Sequence, residues 1–357
     1  MLVGLSLLTL VPGIVGGSER YVRELCRALG RVGEHRYHVY VPTIGEDAAG
    51  PLRSKRVRSY RAARSMAGRA TAMALAAAVP WPVRRELELG RLDAIHFPLS
   101  VMLPPVRHPP AATTILDIQH EFFPEFFPRA ELAYRKVVYG WTARRSRIVI
   151  TISEHARQTL IERLRLEPER VRAIHLAVDL ERFTPPPGDA ERRPFLLYPA
   201  NRWPHKNHER LFEAFGNVRR HRPELSLVLT GAGHDRALLP PGVEARGYVS
   251  ADELVQLYRS AAALVFPSLY EGFGQPPLEA MACRCPVAVA RIASLPEVCG
   301  DAAVYFDPFS TDDIARAIDE VLDRGSDYAE RGLGRAALFT WDECARRHDE
   351  VYRELAA

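Results

Sequence analysis

Short apolar runs alternate with helix-like stretches along almost the whole chain. Each run is typical of a buried strand, and the stretches between most of them repeat apolar residues every three to four positions. Parallel strands need crossover helices of this kind, and the helices then cover the sheet. The sequence therefore predicts an α/β fold with parallel sheets, whose functional residues lie on loops at the carboxyl ends of strands. The predicted strands are Met1–Leu8, Tyr37–Val41, Asp93–Phe97, Thr113–Asp117, Arg147–Thr151, Val171–Leu176, Phe195–Pro199, Leu225–Leu229, Ala263–Phe266, Val287–Ala290 and Ala303–Phe306.

The length of the chain predicts more than one domain. A chain of 357 residues exceeds the usual size of a single hydrophobic core. A proline-rich run, Pro185–Gly188, is typical of a linker. We therefore expect a first domain over residues 1–184, a linker over 185–193, a second domain over 194–338 and a terminal amphipathic helix over 339–357.

Charge and cysteine usage exclude several classes of protein. The 48 basic residues exceed the 44 acidic ones by only four, which argues against a nucleic-acid binder held by phosphate contacts. Five cysteines without a C-x-x-C pair fit reduced packing thiols rather than a disulfide framework or a zinc site. The apolar N-terminal run lacks a basic leader, and no stretch approaches the length of a membrane span. We expect a cytoplasmic protein.

One segment, residues 53–85, is basic and leads into an Ala/Met/Leu-rich run, Met66–Val79. A basic segment beside an apolar helix can contact anionic lipid at the inner membrane face, or an anionic acceptor. Arginine is abundant throughout this chain, so a solvated helix face remains the alternative.

Two carboxylates bracket a glycine- and proline-containing loop after the run that ends at Phe266. Glu271 and Glu279 are eight positions apart, with Gly272-Phe273-Gly274 and Pro276-Pro277 between them. Proline presets the first turn of a helix, and glycines leave bare backbone for a ligand to approach. Because the amides of a helix N-terminus favour electron-rich oxygens, the arrangement suits a polyhydroxylated ligand.

Two further loops carry candidate residues. Arg202 and Lys206 follow the run that ends at Pro199, where they can neutralise a diphosphate. Lys206 is also one of only three lysines in the chain. The other loop, after Thr113–Asp117, places His120 among phenylalanines and prolines; His96, also near a strand end, is the weaker candidate.

The sequence Glu271-Gly-Phe-Gly-Gln-Pro-Pro-Leu-Glu279 resembles the E-x7-E motif of the retaining nucleotide-sugar glycosyltransferases of family 4. This resemblance implies the GT-B fold, in which two Rossmann-like domains face each other across a cleft. The donor nucleotide would lie mainly on the C-terminal domain and the acceptor mainly on the N-terminal one. The terminal helix would cross back onto the N-terminal domain, with Trp341 and Tyr352 as packing anchors.

The resemblance also implies a role for each candidate residue. Glu279 would hold the ribose and Glu271 the donor sugar, while Arg202 and Lys206 would stabilise the departing diphosphate. His120 would contact the transferred sugar, with Asp117 orienting its ring or its loop. The remaining donor contacts would come from Gly16 and Gly17 over the diphosphate (a tight turn is the alternative), from Gly231 on a glycine turn, from Tyr248 and Val249 near the nucleobase, and from Gly272, Phe273 and Gly274.

The implied reaction moves a hexose such as mannose, glucose or N-acetylglucosamine from a nucleoside-diphosphate sugar, without a separate cofactor. The acceptor would be a hydroxyl of a glycan, a lipid-linked saccharide or a small molecule, as in polysaccharide or glycoconjugate biosynthesis. Because no D-x-D occurs in the sequence and two cations can stabilise the diphosphate, we expect no metal. A non-catalytic sugar-nucleotide sensor of the same fold remains an alternative. A Rossmann oxidoreductase is disfavoured, since the first glycine loop is not G-x-G-x-x-G.

Overall fold

A computed structural model describes residues 1–13, 16–188, 191–235 and 239–357. The chain divides into two compact units, one formed by Met1–Leu176 with Trp341–Ala357 and the other by Ala177–Thr340. Each unit contains one parallel sheet with helices in the crossovers. The predicted α/β class with two Rossmann-like domains is confirmed.

The sheet of the first unit has the order β3-β2-β1-β4-β5-β6-β7, with every neighbouring pair parallel. Strand β5 ends three residues before the predicted Asp117, and the buried Ile115 and Ile118 continue the apolar pattern into its exit loop. The strands are β1 Leu2–Ser6, β2 Arg36–Val41, β3 Ser54–Arg56, β4 Ala94–Phe97, β5 Ala111–Thr114, β6 Ile148–Thr151 and β7 Val171–Ala173. The helices are α1 Gly17–Val32, α2 Met66–Ala78, α3 Trp81–Glu86, α4 Arg129–Arg145, α5 Glu154–Leu164 and, from the end of the chain, α12 Trp341–Ala356.

The terminal helix α12 belongs to the first unit, as predicted, and a buried hydrogen-bond network connects it there. Tyr352 and Thr114 lie 2.8 Å from the two ring nitrogens of His96. Thr114 also lies 3.0 Å from the Tyr21 hydroxyl, which is 2.8 Å from His348 Nε2. The network thus joins α1, β4 and β5 to α12, and it occupies both nitrogens of His96, the weaker site candidate.

The direction of every hydrogen bond in this network follows from one backbone carbonyl. His348 Nδ1 lies 2.7 Å from the carbonyl of Cys344, which can only accept, so Nδ1 carries the proton and Nε2 accepts from Tyr21. Thr114 must then donate to Tyr21, and His96 Nε2 must donate to Thr114. His96 Nδ1 is left to accept from Tyr352. The two neutral histidines are therefore opposite tautomers.

The sheet of the second unit has the order β10-β9-β8-β11-β12-β13 and is also parallel. Because β9, β8 and β11 are neighbours, their exit loops meet at one edge of the sheet. The strands are β8 Arg193–Pro199, β9 Ser226–Thr230, β10 Val243–Ala245, β11 Ala261–Phe266, β12 Val287–Ala290 and β13 Val304–Phe306. The helices are α6 His208–Arg219, α7 Ala251–Ser260, α8 Gln275–Ala282, α9 Leu295–Cys299, α10 Thr311–Asp323 and α11 Gly325–Ala336.

Residues 177–184 lie with the second unit, whereas the sequence placed them at the end of the first domain. The amide of Val178 donates to the carbonyl of Phe339, and Arg259 Nε donates to the carbonyl of Thr184 over 2.8 Å. These backbone contacts hold the residues before the proline-rich run to the second unit, so the division between the units falls at residues 176 and 177 rather than at the predicted linker.

All five cysteines are free and buried, consistent with the predicted packing role. Within the described ranges, no helix is both long enough and apolar enough to cross a bilayer.

Candidate active site

The exit loop of β8 is fixed by the neighbouring exit loop of β9. The amide of Arg202 donates to the carbonyl of Ala232 over 2.9 Å, and the amide of Ala232 donates to Asn201 Oδ1 over 2.7 Å. Gly231 has φ +104°, and a Cβ there would lie 2.8 Å from Asn201 Oδ1 and 2.9 Å from the backbone of Ala200. Only glycine fits, so close packing of the two loops already requires this predicted donor residue.

Asn207 connects the same loop to two more strand ends. Its side-chain amide donates to the carbonyls of Pro267 and Pro308 over 3.1 and 2.8 Å, and its backbone adopts φ +59°. One residue earlier, the carbonyl of Lys206 accepts a 2.7 Å hydrogen bond from the buried Tyr198 hydroxyl. Lys206 therefore projects from backbone that is held on both sides.

Lys206 and Glu271, which are 65 positions apart in sequence, form an ion pair. Lys206 Nζ lies 2.5 Å from Glu271 Oε1, and the two side chains are only 13% and 14% exposed. The ammonium also lies 5.4 Å from the centre of the Phe266 ring, within the range of a cation–π contact. The structure thus brings together a residue predicted to bind diphosphate and one predicted to bind sugar.

Arg202 has a different kind of partner. Its guanidinium lies 2.5 Å from Glu209 Oε1, and the Glu209 side chain is 74% exposed. Exposed ion pairs contribute little to stability and are easily exchanged. The predicted diphosphate ligand Arg202 is therefore accessible to an incoming anion.

The loop from Glu271 to Gly274 ends as the N-cap of α8. Helix α8 begins at Gln275, one residue before the predicted Pro276. Gly274 has φ +111°, and a Cβ there would lie 2.8 Å from Leu295 Cδ2. The Ser294 hydroxyl lies 2.9 and 2.7 Å from the carbonyls of Glu271 and Phe273. This part of the loop is thus held from the side of α9.

Glu279, on α8, is almost completely buried, with 3% of its surface exposed. The hydroxyl of Tyr258, on α7, donates to Glu279 Oε2 over 3.1 Å. Buried carboxylates require hydrogen-bond donors, and ribose hydroxyls can supply them. Tyr258 was not among the predicted residues, because a tyrosine on the apolar face of a helix is typical of a core position.

Comparison with known proteins identifies the family. Residues 15–182 match the family described as Glycosyltransferase Family 4, and residues 181–332 match Glycosyl transferases group 1. The O-antigen chain mannosyltransferase B of Escherichia coli is 31% identical over 270 residues, which cover 69% of this chain and 70% of that protein. The chain belongs to glycosyltransferase family 4. The matched regions include every predicted site residue, whose individual roles remain predictions.

Solved structures support the GT-B fold for this family 4 chain. Sucrose-phosphate synthase from Thermosynechococcus elongatus superposes with a TM-score of 0.75 at 18% identity, covering 99% of both chains. Anabaena HepE in complex with UDP and glucose superposes with a TM-score of 0.71 at 16% identity, covering 99% of this chain and all of that one. At such identities the likeness shows the fold alone.

The glycine loop before α1 leaves open space beside its backbone. Gly16 has φ +50°, and a Cβ on Gly16 or on Gly17 would meet no atom of the described residues within 4 Å. The amides of Glu19 and Arg20 donate to the carbonyl of Gly16 in the first turn of the helix. The turn therefore needs glycine at 16 for its conformation, and the space beside it remains available to a ligand.

The nucleobase candidates lie beside the Gly231 loop. The amide of Gly231 donates to the carbonyl of Gly247 over 2.7 Å, which brings the segment 247–249 next to the exit loop of β9. Tyr248 is 79% exposed, and Val249 is half-buried. An exposed aromatic ring in this place is available for stacking on a base.

His120 is enclosed by its own loop and by helix α4. The side chain is 1% exposed, and its ring makes edge-to-face contacts with Phe127 and Tyr139. Burial, and then the charges of Arg135 and Lys136, lower its pKa to about 4. The neutral ring leaves Nδ1 without a hydrogen-bond partner in the described part of the chain.

Asp117 forms a hydrogen bond within the loop that carries His120. Its Oδ1 accepts a 3.1 Å hydrogen bond from the amide of Gln119, which closes the turn that leads to His120. Of the two predicted roles, orienting the ring or orienting the loop, this contact supports the second.

Two neutral histidines lie near the predicted diphosphate cations and were missed at the sequence level. Burial is the main cause that lowers the pKa of His208 to about 3, with His234, Arg202 and Lys206 contributing; burial and Lys206 lower that of His205 to about 4. The His208 ring packs 4.8 Å from the Tyr198 ring. Both imidazoles are thus uncharged at neutral pH, and the positive charge of the loop comes from Arg202 and Lys206.

Proposed function

We propose that this family 4 chain is a retaining hexosyltransferase that uses a nucleoside-diphosphate sugar as donor. The observation that carries the proposal is the contact between Lys206 and Glu271, a cation and a carboxylate on adjacent strand exit loops. Mannose is the first donor sugar to test, because the E. coli relative described above is a mannosyltransferase by name.

In this proposal, the donor diphosphate binds through exchange of ion-pair partners. Arg202 leaves the exposed Glu209 for phosphate oxygens, which its planar guanidinium can bind in a bidentate manner. Lys206 is already held in place and meets the charge that develops on the leaving diphosphate. Positive charge that is positioned before the reaction lowers the barrier without further reorganisation.

The two glutamates have separate roles in the proposal. Glu271 accepts hydrogen bonds from donor-sugar hydroxyls while it keeps Lys206 in place, and Glu279 accepts from the ribose hydroxyls beside Tyr258. The backbone of Gly272, Phe273 and Gly274 lies between the two glutamates in sequence, directly before α8.

We further propose that the acceptor hydroxyl attacks the same face of the sugar from which the diphosphate leaves, with no covalent sugar–enzyme intermediate. Arg202 and Lys206 supply the charge stabilisation that a divalent metal supplies elsewhere. Transfer should therefore continue at an unchanged rate in excess EDTA. A loss of transfer that added divalent metal restores would contradict the metal-independent scheme.

The proposed contacts from the first unit are less direct. Gly16 and Gly17 approach the diphosphate, and His120 on the loop set by Asp117 contacts the transferred sugar or the acceptor. Because the His120 ring is enclosed, this contact requires residues 119–128 to move. A sugar contact predicts that both His120→Ala and His120→Phe reduce turnover, whereas a packing role alone predicts that His120→Phe remains active.

The decisive experiment combines donor binding with transfer. Mannose, glucose and N-acetylglucosamine linked to uridine, guanosine, adenosine or thymidine diphosphate are tested by thermal shift, and each stabilising donor is then tested for hydrolysis or transfer. We expect one nucleotide sugar to stabilise the protein and to be turned over, and Lys206→Ala to lower turnover by about 100- to 1,000-fold. Stabilisation without turnover for any acceptor class would instead support a sensor. No response to any donor would contradict the proposal.

A further inference from the structure

Two helices of the first unit each expose several large or neighbouring apolar side chains, whereas exposed apolar residues are usually scattered singly over a protein surface. Helix α2 has a solvent-facing side made mainly of alanine, with Leu75 exposed. Helix α4 carries exposed Tyr134, Val137 and Trp141 at a spacing of three and four residues, which places them on one side. Of the twelve strongly exposed large apolar side chains in the described residues, six form the group that we call the α2–α4 face: Leu75 (61%), Val79 (50%), Trp81 (65%), Tyr134 (39%), Val137 (67%) and Trp141 (40%).

The members of the α2–α4 face lie on connected elements. The hydroxyl of Tyr134 on α4 is 3.8 Å from Met73 Sδ on α2. Arg84 on α3 donates to the carbonyl of Pro105, and the amide of Met102 in the same loop donates to Thr142 on α4. The three helices are therefore neighbours, and the exposed apolar residues that they carry lie in the same part of the first unit.

The charge around this region is strongly positive. Residues 61–86 and 129–145, which include the three helices, contain ten basic side chains and two acidic ones, so their formal charge is +8, compared with +4 for the whole chain. Of the two acidic residues, Glu131 is paired with Arg135 at 2.7 Å, and Glu86 accepts hydrogen bonds from the amides of Arg58 and Ser59. The excess is thus concentrated around the apolar side chains rather than spread over the protein.

We propose that the α2–α4 face binds the surface of an anionic phospholipid bilayer. Apolar and aromatic side chains among arginines and lysines are suited to the boundary between headgroups and acyl chains, where tryptophan and tyrosine are favoured. A second copy of this chain is a poor occupant, because a two-fold contact would set this positive region against itself. The proposal goes beyond sugar transfer and involves no residue of the donor site.

The first test is sedimentation with vesicles of phosphatidylcholine alone or with 30% phosphatidylglycerol (chosen to add anionic charge). We expect binding to the anionic vesicles, at least tenfold weaker binding to the neutral ones, and weakening at high salt. Equal binding to both, or binding to neither, would overturn the proposal.

Matched variants separate this face from the rest of the surface. Val137→Ser/Trp141→Ser should weaken vesicle binding at least tenfold, whereas Leu338→Ser, at a position 66% exposed on the second unit, should not. Arg64→Gln/Lys136→Gln should weaken it about 25-fold, at roughly fivefold for each charge, relative to the exposed control pair Arg220→Gln/Arg353→Gln. If only the charge variants lose binding, the apolar contact is wrong.

Two further measurements address insertion and competing occupants. Brominated acyl chains should quench tryptophan fluorescence in the bound wild type, but much less in Trp81→Phe/Trp141→Phe, which should still bind. Analytical ultracentrifugation without lipid should show no dimer that depends on this face. A dimer abolished by Val137→Ser/Trp141→Ser would identify a second copy as the occupant and overturn the lipid proposal.

Discussion

Lys206 Nζ lies 2.5 Å from Glu271 Oε1, and both side chains are at least 86% buried, given exposures of 13% and 14%. Removing one partner from such a pair leaves the other charge with incomplete solvation. We therefore expect Lys206→Ala to destabilise the protein more than the double variant Lys206→Ala/Glu271→Gln. Thermal unfolding of the two single variants, the double variant and the exposed control Arg220→Ala measures the coupling. Additive effects of the single changes would show that the pair contributes nothing.

The proposed roles also make Lys206→Ala a kinetic prediction. Loss of one positioned charge at a transition state costs about 100- to 1,000-fold in kcat. Arg202→Ala should cost less in kcat and more in donor KM, because its exchangeable partner indicates a role in binding. Steady-state kinetics with the identified donor measure both values, and wild-type kcat in Lys206→Ala would refute the leaving-group role.

Glu209→Gln should increase donor affinity. The exposed carboxylate of Glu209 competes with the diphosphate for Arg202, and the change removes its charge while preserving its shape. Exposed pairs contribute at most about 1 kcal/mol, so we expect a two- to fivefold lower donor Kd at low salt and no difference at 0.5 M salt. Isothermal titration of the free nucleoside diphosphate measures it. A Kd that stays constant or rises at low salt would indicate that Arg202 does not bind the diphosphate.

The ribose role of Glu279 is testable with a matched ligand pair. Glu279→Gln should weaken binding of the nucleoside diphosphate but leave binding of its 2′,3′-dideoxy analogue nearly unchanged, because the analogue lacks the hydroxyls. Tyr258→Phe removes the 3.1 Å hydrogen bond to Glu279 and should cause a smaller loss of the same kind. Equal weakening of both ligands by Glu279→Gln would point to a structural role.

The buried histidines of the first unit predict a loss of stability in acid. Burial lowers the pKa of His348 to about 4 and that of His96 well below its usual 6.5. Since the folded state disfavours the charged form, this stability is complete above pH 6.5 and is lost as the pH falls from 6.5 towards 4. For His348 the loss approaches about 3 kcal/mol. Urea unfolding between pH 7 and pH 4, monitored on the first unit, should show a shallower pH dependence in His348→Gln.

The same network predicts opposite tautomers. Ring-nitrogen NMR of protein labelled at histidine should show His348 protonated on Nδ1 and His96 on Nε2, with neither titrating between pH 5 and 8. His348→Gln assigns one signal and His96→Gln the other. Identical tautomers would contradict the hydrogen-bond directions deduced from the Cys344 carbonyl.

The pattern of apolar residues along the chain was enough to predict most of the strands and the loops that carry the candidate site residues. Strand β12 was predicted at its observed bounds, Val287–Ala290. Arg202, Lys206 and Glu271 were selected because each follows an apolar strand. The order of the strands then brings their loops together. A rule based on neighbouring residues, that functional side chains follow strands, thus selected residues that are far apart in the sequence but adjacent in the fold.

The residues missed are those whose importance depends on partners far away in the chain. Short strands such as β3, within the basic segment, have too few residues to show a period. Tyr258 and Asn207 have ordinary neighbours in sequence, and only the folded chain places them against Glu279 and between strand ends. The exposed side of α4 was likewise missed, because an apolar helix pattern does not reveal which side lacks a covering layer.

The buried network around His96 has a consequence for the order in which the chain can fold during synthesis. Tyr21, His96 and Thr114 are made early, but His348 and Tyr352 are translated only after the whole of the second unit. Until α12 emerges, the Tyr21 hydroxyl lacks His348 and His96 Nδ1 lacks Tyr352, although Thr114 already has Tyr21 and His96 as partners. The second unit, in contrast, has every residue of its own sheet before α12 emerges. The nascent first unit should stay sensitive to protease until α12 has emerged from the ribosome. If residues 341–357 are joined to residue 176 through a flexible linker, the first unit should fold alone.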